Sequence, residues 1–231
     1  MELSGARVLV VGATGVLGGL TARALVGRGA RVAVTGRRPD ALAEVAAACG
    51  TEPIPLDLLD IEACAAAVAA AAEQLGGLDA VIVATGVPAF GPAVETDPAV
   101  AEELFAVNTL GPMAVVRAAA THLGENGVVA VLSAILADVP TNQMADYSAS
   151  KAALSAWLGV VRRENRRRFA VIDVRPPHLD TGLSERPLAG TAPKLPEPLA
   201  AGEVVDALLE ALTHNATEIV WDPKGKRLSI P

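Results

Sequence analysis

The chain has 231 residues, enough for one large α/β domain or two small ones. Apolar residues make up 52% and charged residues 19%, the composition of an ordinary globular protein. A net charge of −7 argues against non-specific binding to nucleic acid, because phosphate contacts require a basic surface. The longest strongly apolar runs, around residues 8–11 and 128–137, fall short of the ~18 residues that span a bilayer. Met1-Glu2-Leu3-Ser4-Gly5 has no basic stretch followed by an apolar core. A cytoplasmic protein with no membrane partner is expected.

The first candidate strand, Arg7–Val11, runs directly into Gly12-Ala13-Thr14-Gly15-Val16-Leu17-Gly18, a glycine-rich turn opening a helix. A strand before and a helix after make this a nucleotide-binding context. Gly12 can take the tight turn, Gly15 lets a pyrophosphate approach the backbone, and Gly18 lets the helix pack close to the strand. The second strand, residues 31–35, ends in Gly36-Arg37-Arg38. Roughly 20 residues after such a turn, an NAD-binding fold usually carries an acid for the ribose hydroxyls. Here Arg37 and Arg38 stand there instead. A guanidinium pairs bidentately with a 2′-phosphate that an acid would repel, so NADP(H) is the predicted cofactor; solvated arginines at a strand end are the alternative.

A third strand is predicted over residues 52–56, with Asp57 and Leu58 closing it where an adenine would lie, and a fourth over residues 80–84, ending in Ala84-Thr85-Gly86. The fifth covers residues 127–133 and the sixth residues 170–174. Strands that alternate with helices imply a parallel sheet, and their nearly continuous apolar character implies helices on both faces. The prediction is a single α/β, Rossmann-like, doubly wound domain over residues 1–231. The proline-rich stretch 176–198 reads as part of the substrate side, with a mobile lid at residues 182–199, because a helix (Ala201–Thr213) and a closing strand (residues 217–221) follow it.

Between the fifth and sixth strands lies Tyr147-Ser148-Ala149-Ser150-Lys151. Tyrosine and lysine four apart share a helical face, so the ammonium can sit near both the phenol and a nicotinamide ribose. A phenol at its reference pKa of about 10 is a poor base near neutrality, and a neighbouring cation changes that.

With these elements in this order, the sequence resembles the short-chain dehydrogenase/reductase family over nearly its whole length. The resemblance implies a carbonyl reductase or alcohol dehydrogenase acting on a small substrate. Tyr147 would be the acid/base, and Lys151 would lower its pKa while holding the ribose. Asn108, in Val107-Asn108-Thr109, would anchor a water of the proton relay. Ser133 would polarise the substrate carbonyl. Pro176-Pro177-His178-Leu179-Asp180-Thr181 is similar to the family's Pro-Gly-x-x-x-Thr, with Thr181 on the nicotinamide carboxamide and Pro177 stiffening the turn. The resemblance also implies a homodimer or homotetramer, for which the helical stripe Ala152, Leu154, Trp157, Leu158 and Val161 offers apolar surface, though it could equally be core.

Three departures from the family pattern stand out. The family's Asn-Ala-Gly is Ala84-Thr85-Gly86, and the middle glycine of the first turn comes one place early. The usual serine-to-tyrosine spacing puts Ala134 at the serine position, and Ser133 fits only with one extra loop residue; neighbouring strand residues face opposite sides, so the register affects catalysis. An NADPH-binding sensor or interaction module with reduced or lost catalysis is therefore the rival reading. Cys49 and Cys64 are isolated and read as packing residues. His122, His178 and His214 lack ligand spacing, so no metal is expected, although His178 lies in the substrate-side loop. Arg162, Arg163, Arg166, Arg167 and Arg168 read as a solvated helix end.

Overall fold

The computed structural model describes residues 1–214 and 216–231. Eight strands form one sheet: β1 (Arg7–Val11), β2 (Arg31–Gly36), β3 (Pro53–Pro55), β4 (Leu78–Val83), β5 (Leu123–Leu132), β6 (Phe169–Arg175), β7 (Glu218–Asp222) and β8 (Arg227–Ser229). Their order is β3-β2-β1-β4-β5-β6-β7-β8, parallel throughout except for the antiparallel β7–β8 pair. Among the described residues, seven α-helices complete the fold: α1 (Val16–Gly27), α2 (Pro39–Cys49), α3 (Ile61–Leu75), α4 (Pro98–Phe105), α5 (Gly111–Ala119), α6 (Ala145–Asn165) and α7 (Ala201–Thr213).

Side chains alternate across a strand, and this period builds two cores. Val8 and Val10 of β1 join one core with α1, α2 and α7, while Leu9 and Val11 join the other with α3, α5 and α6. Local signals set the helix ends. α2 starts with Pro39 in its first turn and stops at Gly50, whose φ of 66° favours glycine. The carboxylate of Asp60 accepts from the Ala63 N–H to start α3.

Several boundaries differ from the sequence expectation. β3 is only three residues, because Pro53 and Pro55 bring no N–H to a ladder; Asp57 and Leu58 lie beyond its end. β5 begins at Leu123, where the register against β4 shifts, and it ends before Ser133. β8 was not expected, being too short to show a pattern. α4, a π-helical turn (Ala106–Leu110) and α5 form one continuous helix, Pro98–Ala119, long and apolar enough by length and composition to cross a membrane, where the sequence suggested no such run. Its α4 half and π turn pack on α6 and its α5 half on α3. Of the α6 stripe, Leu154, Leu158 and Val161 are core, Ala152 and Trp157 are half-buried, and the Arg117 guanidinium lies 5.3 Å from the Trp157 ring centroid.

The connections from β1 and β4 leave in opposite directions along the sheet. This reversal opens a crevice at the carboxyl ends of the two strands, where ligands bind in such sheets.

Candidate active site

At the β1 end of the crevice, Gly12 has a φ of 84°, and a Cβ there would lie 2.6 Å from Thr85 Cγ2 and 2.9 Å from the Ala84 carbonyl oxygen. A side chain at Gly18 would collide with the Gly12 carbonyl, and one at Gly36 with Thr14. These glycines bring β1, β2, β4 and α1 together. Gly15 is the exposed N-cap of α1, with no side-chain cap and no acid in the first turn. The first N–H groups of that helix therefore remain open donors at its positive end. Val16 is exposed, while Leu17 anchors the turn in the core. Arg37 and Arg38 are exposed at the end of β2, and Arg38 Nη2 donates to the Thr14 carbonyl at 3.0 Å. Asp57 accepts from the Leu59 N–H, and Leu58 packs against Gly111. Ala84 continues the ladder by donating to the Val11 carbonyl at 2.9 Å. Thr85 Oγ1 is buried without a hydrogen-bond partner, a group that a ligand could satisfy. The open helix donors, the glycine cradle and the two guanidinium groups fit the phosphates of a dinucleotide.

Tyr147 and Lys151 lie one turn apart on α6, both buried. Lys151 Nζ donates to the Leu132 carbonyl at 3.0 Å and the Thr85 carbonyl at 3.3 Å. A Cβ at Gly86 would come within 3.2 Å of Nζ and 3.5 Å of Asn108 Oδ1, so glycine keeps space open beside the ammonium. Asn108 sits on the π-helical turn, a local widening frequent at functional sites. Its amide donates to the Val87 carbonyl at 2.9 Å and to Ser150 Oγ at 3.1 Å, while Oδ1 accepts from the Val87 N–H at 2.9 Å. Asn108 thereby braces the chain after β4, where Ala84 offers no polar side chain. Thr109 Oγ1 donates to the Ser150 carbonyl at 2.8 Å, and Ser150 Oγ donates to the Tyr147 carbonyl at 2.8 Å. These bonds staple the π turn to the turn of α6 that carries the tyrosine and lysine. Burial pushes the Tyr147 phenol up to about 12 and the Lys151 ammonium down to about 8, with the negative charge of Asp173 opposing the second shift.

Ser133 requires a correction. Its N–H donates to the Val174 carbonyl at 2.9 Å, and its hydroxyl is committed to Asp173 Oδ1 at 2.5 Å, on the β6 side. Asp173 Oδ2 accepts from Ser155 Oγ at 2.5 Å and from Arg175 Nη1 at 2.7 Å. Arg175 continues to Glu218 Oε2 at 2.6 Å, and its Nε lies 2.9 Å from Asp138 Oδ2. Ala134 follows in extended conformation and, by strand alternation, turns its methyl to the other side. The physical reason is register: β5 ends at Leu132, and the face Ser133 presents meets a carboxylate that binds it. Arg162 also departs from its expected solvation, bonding the Val171 and Thr217 carbonyls and Glu218; Arg163, Arg166 and Arg167 are exposed. Thr109, Ser150, Ser155, Asp173 and Arg175 were missed from sequence. The available signal was Asp173 and Arg175 two apart in an apolar strand, hence on one face.

Beyond β6, the Pro176 carbonyl accepts from the Ile135 N–H at 2.9 Å, and Thr181 stands half-buried just after it. Segment 182–199 crosses the site and is stitched down. Leu199 donates to the His178 carbonyl at 2.8 Å, Leu188 to the Pro88 carbonyl at 2.8 Å, and Phe90 to the Ala189 carbonyl at 3.0 Å. The His178 ring contacts the Pro196 carbonyl at 2.9 Å. Leu188, Ala192 and Leu195 pack on an apolar cluster of Ala89, Phe90, Leu104, Met144 and Tyr147. Beside that cluster is a cavity of about 360 Å³, lined by residues including Phe90, Thr96, Val100, Gln143 and Asp146.

The profile described as short chain dehydrogenase matches residues 6–189. An uncharacterized oxidoreductase of Methylorubrum extorquens is 32% identical over 182 residues, covering 76% of this chain and 73% of its own. A cyclic-di-GMP-binding biofilm dispersal mediator protein of Escherichia coli is 29% identical over 181 residues, 77% of this chain and 75% of that one. Among solved structures, a short chain dehydrogenase from Burkholderia cenocepacia in complex with NADP superposes with a TM-score of 0.80 at 30% identity, covering 92% of each chain. With the profile spanning most of the sequence and the sheet order, glycine turn and Tyr147/Lys151 turn in place, the chain belongs to the short-chain dehydrogenase/reductase family of oxidoreductases.

Proposed function

We propose that the protein is an NADPH-dependent reductase of small, uncharged carbonyl compounds, with Tyr147 as proton donor. One observation carries this reading: the buried Tyr147/Lys151 pair, with Nζ fixed by the Leu132 and Thr85 carbonyls beside the space that Gly86 leaves. NADPH, when bound, supplies the hydride. The open turn from Gly12 to Gly18 would hold its phosphates, Arg37 and Arg38 its 2′-phosphate, Asp57 and Leu58 the adenine side, and Ala84, Gly86, Lys151, Pro176 and Thr181 the nicotinamide half. The two guanidinium groups, with no acid at the end of β2, support NADP over NAD, as does the NADP held by the Burkholderia relative.

Charge builds on the carbonyl oxygen during reduction and needs a donor, then a proton. Tyr147 supplies both: the phenolic O–H bond breaks, the alcohol O–H bond forms, and Lys151 stabilises the phenolate left behind. A phenol held at about 12 in the free protein is protonated across the physiological range, ready to donate. Ser133 takes no part in polarising the substrate, because its hydroxyl is bound to Asp173. The apolar cluster around Tyr147 favours uncharged substrates.

NADPH consumption against ketones, aldehydes and quinones tests the proposal. Turnover with at least one uncharged carbonyl, lost in Tyr147→Phe, is expected. Tight NADPH binding with no turnover on any of them would instead support a cofactor-binding sensor. Two observations favour that second reading: Ala134 leaves the family's serine position without a hydroxyl, and the Escherichia coli relative is described as a binding protein.

A further inference from the structure

Among the described residues, two charged side chains are almost wholly withdrawn from water, Lys151 at 2% exposure and Asp173 at 1%. An ammonium in such a place costs several kcal/mol unless a countercharge answers it. The direct partners of Nζ, the Leu132 and Thr85 carbonyls, are neutral. The Leu132 carbonyl, however, belongs to the peptide unit that leads into Ser133, and the Ser133 hydroxyl donates to Asp173 Oδ1 at 2.5 Å. One peptide unit and two hydrogen bonds thus connect the ammonium to the buried carboxylate.

Asp173 is not used up by its other cation. Arg175 is answered in turn by Glu218 at 2.6 Å and Asp138 at 2.9 Å, and Arg162 reaches Glu218 at 3.1 Å. The cluster therefore holds three cations, Lys151, Arg162 and Arg175, and three anions, Asp138, Asp173 and Glu218. Removing Lys151 from it would leave the cluster one negative charge in excess. The other groups that meet Lys151, on the π-helical turn and after β4, are neutral: Asn108 and the backbone at Thr85 and Gly86. Tyr147, on its own helix, is the remaining titratable neighbour.

We propose that Asp173 is a positioning residue: a buried counter-ion that keeps Lys151 protonated and holds it in line through the Ser133–Leu132 link, so that Ser133 serves the lysine. This assigns a purpose to the serine that the substrate does not use. It rests on the role given to Lys151 above, but its test needs no substrate. The negative charge of Asp173 supports the ammonium against the burial that depresses it.

The chain has four lysines, and Lys194, Lys224 and Lys226 are exposed. An NMR titration of the lysine Cε and Nζ signals in the cofactor-free protein therefore isolates Lys151, with Lys151→Met assigning its resonance. Its midpoint should lie near about 8 in the parent. In Asp173→Asn it should fall by about one unit or more, and in Arg175→Gln it should rise, because the carboxylate loses a competing cation. The alkaline limb of kcat/KM should move in the same two directions. A purely structural Asp173 would lower the melting temperature without moving the midpoint, and that result overturns the proposal, as do shifts of equal sign in the two variants. If Asp173→Asn does not fold, Arg175→Gln decides alone: an unchanged or lowered midpoint overturns it. Midpoints that move as stated in a protein that reduces no carbonyl would leave the counter-ion standing and remove the reductase reading.

Discussion

Tyr147 is the chain's one tyrosine, so its ionisation can be followed without interference from another phenol. Difference absorbance at 295 nm should show a single midpoint near about 12 in the free protein, absent in Tyr147→Phe. The same substitution should lower turnover by ~10²-fold or more with little change in NADPH affinity, since general acid catalysis is worth about that factor. Reduction also needs Lys151 charged. Because its ammonium is held near about 8, reductive turnover in the parent should decline as the pH rises through that value, and a profile flat to pH 10 would contradict the assignment. Ser133→Ala should cost about 1–3 kcal/mol of stability, the penalty for leaving a buried acceptor short of a donor, and should lower the Lys151 midpoint as Asp173→Asn does, with turnover below that midpoint within a few-fold of the parent; a ~10²-fold loss in kcat with the midpoint unmoved would return the hydroxyl to the substrate. Tyrosine and lysine were legible in the sequence because a spacing of four fixes their common face within one helix. The orientation of Ser133 was not, because it depends on where β5 ends and on a carboxylate 40 residues away.

The elements that carry the site differ in how much local chemistry defines them. β1, α1 and the glycines between them were readable because each glycine answers a nearby contact: Gly12 faces Thr85, and Gly18 faces the Gly12 carbonyl. The π-helical turn under Asn108 has no comparable signature, since it joins α4, which packs on α6, to α5, which packs on α3, and both partners lie far away in the sequence. Segment 182–199 was set apart in the sequence by its prolines and its place between β6 and α7. Its seam with residues 88–90 was not legible, because backbone hydrogen bonds leave no trace in side-chain pattern. That seam depends on Gly190, whose φ is 73° and where a Cβ would collide with the Phe90 carbonyl. Gly190→Ala should therefore cost about 1–3 kcal/mol of local stability, seen as faster hydrogen exchange in residues 187–191 and a raised KM. Slow, unchanged exchange would show that the seam does not depend on this glycine. If the segment opens for substrate, NADPH binding to the parent should slow exchange there.

The molecule is a sheet between two separate apolar cores, and a dinucleotide in the crevice would touch elements from both. Binding to the folded state alone adds about 2.7 kcal/mol at a hundredfold excess over Kd, and a chain of this size gains about 2–4 °C in Tm per kcal/mol. NADPH should therefore raise Tm by several degrees more than NADH at equal concentration, and Arg37→Ala should remove most of the difference. Equal shifts for the two cofactors in the parent would refute the 2′-phosphate assignment. The doubly wound architecture was legible because its strands are nearly continuous apolar runs spaced by helices, and the β3 margin was legible with it, though two residues shorter than expected; the β8 margin, three residues long, was not. Those margins govern how copies of the protein can meet. A sheet grows when an open edge offers a long row of unpaired backbone groups. Here one border is Pro53-Ile54-Pro55, two of whose three residues have no N–H to offer, and the other is the short β8 with Lys226 and Arg227 at its start. Strand addition is thereby discouraged at both borders, so fibril-like or continuous-sheet association is disfavoured, and any homodimer or homotetramer should be built through helical faces, leaving each crevice with its own chain.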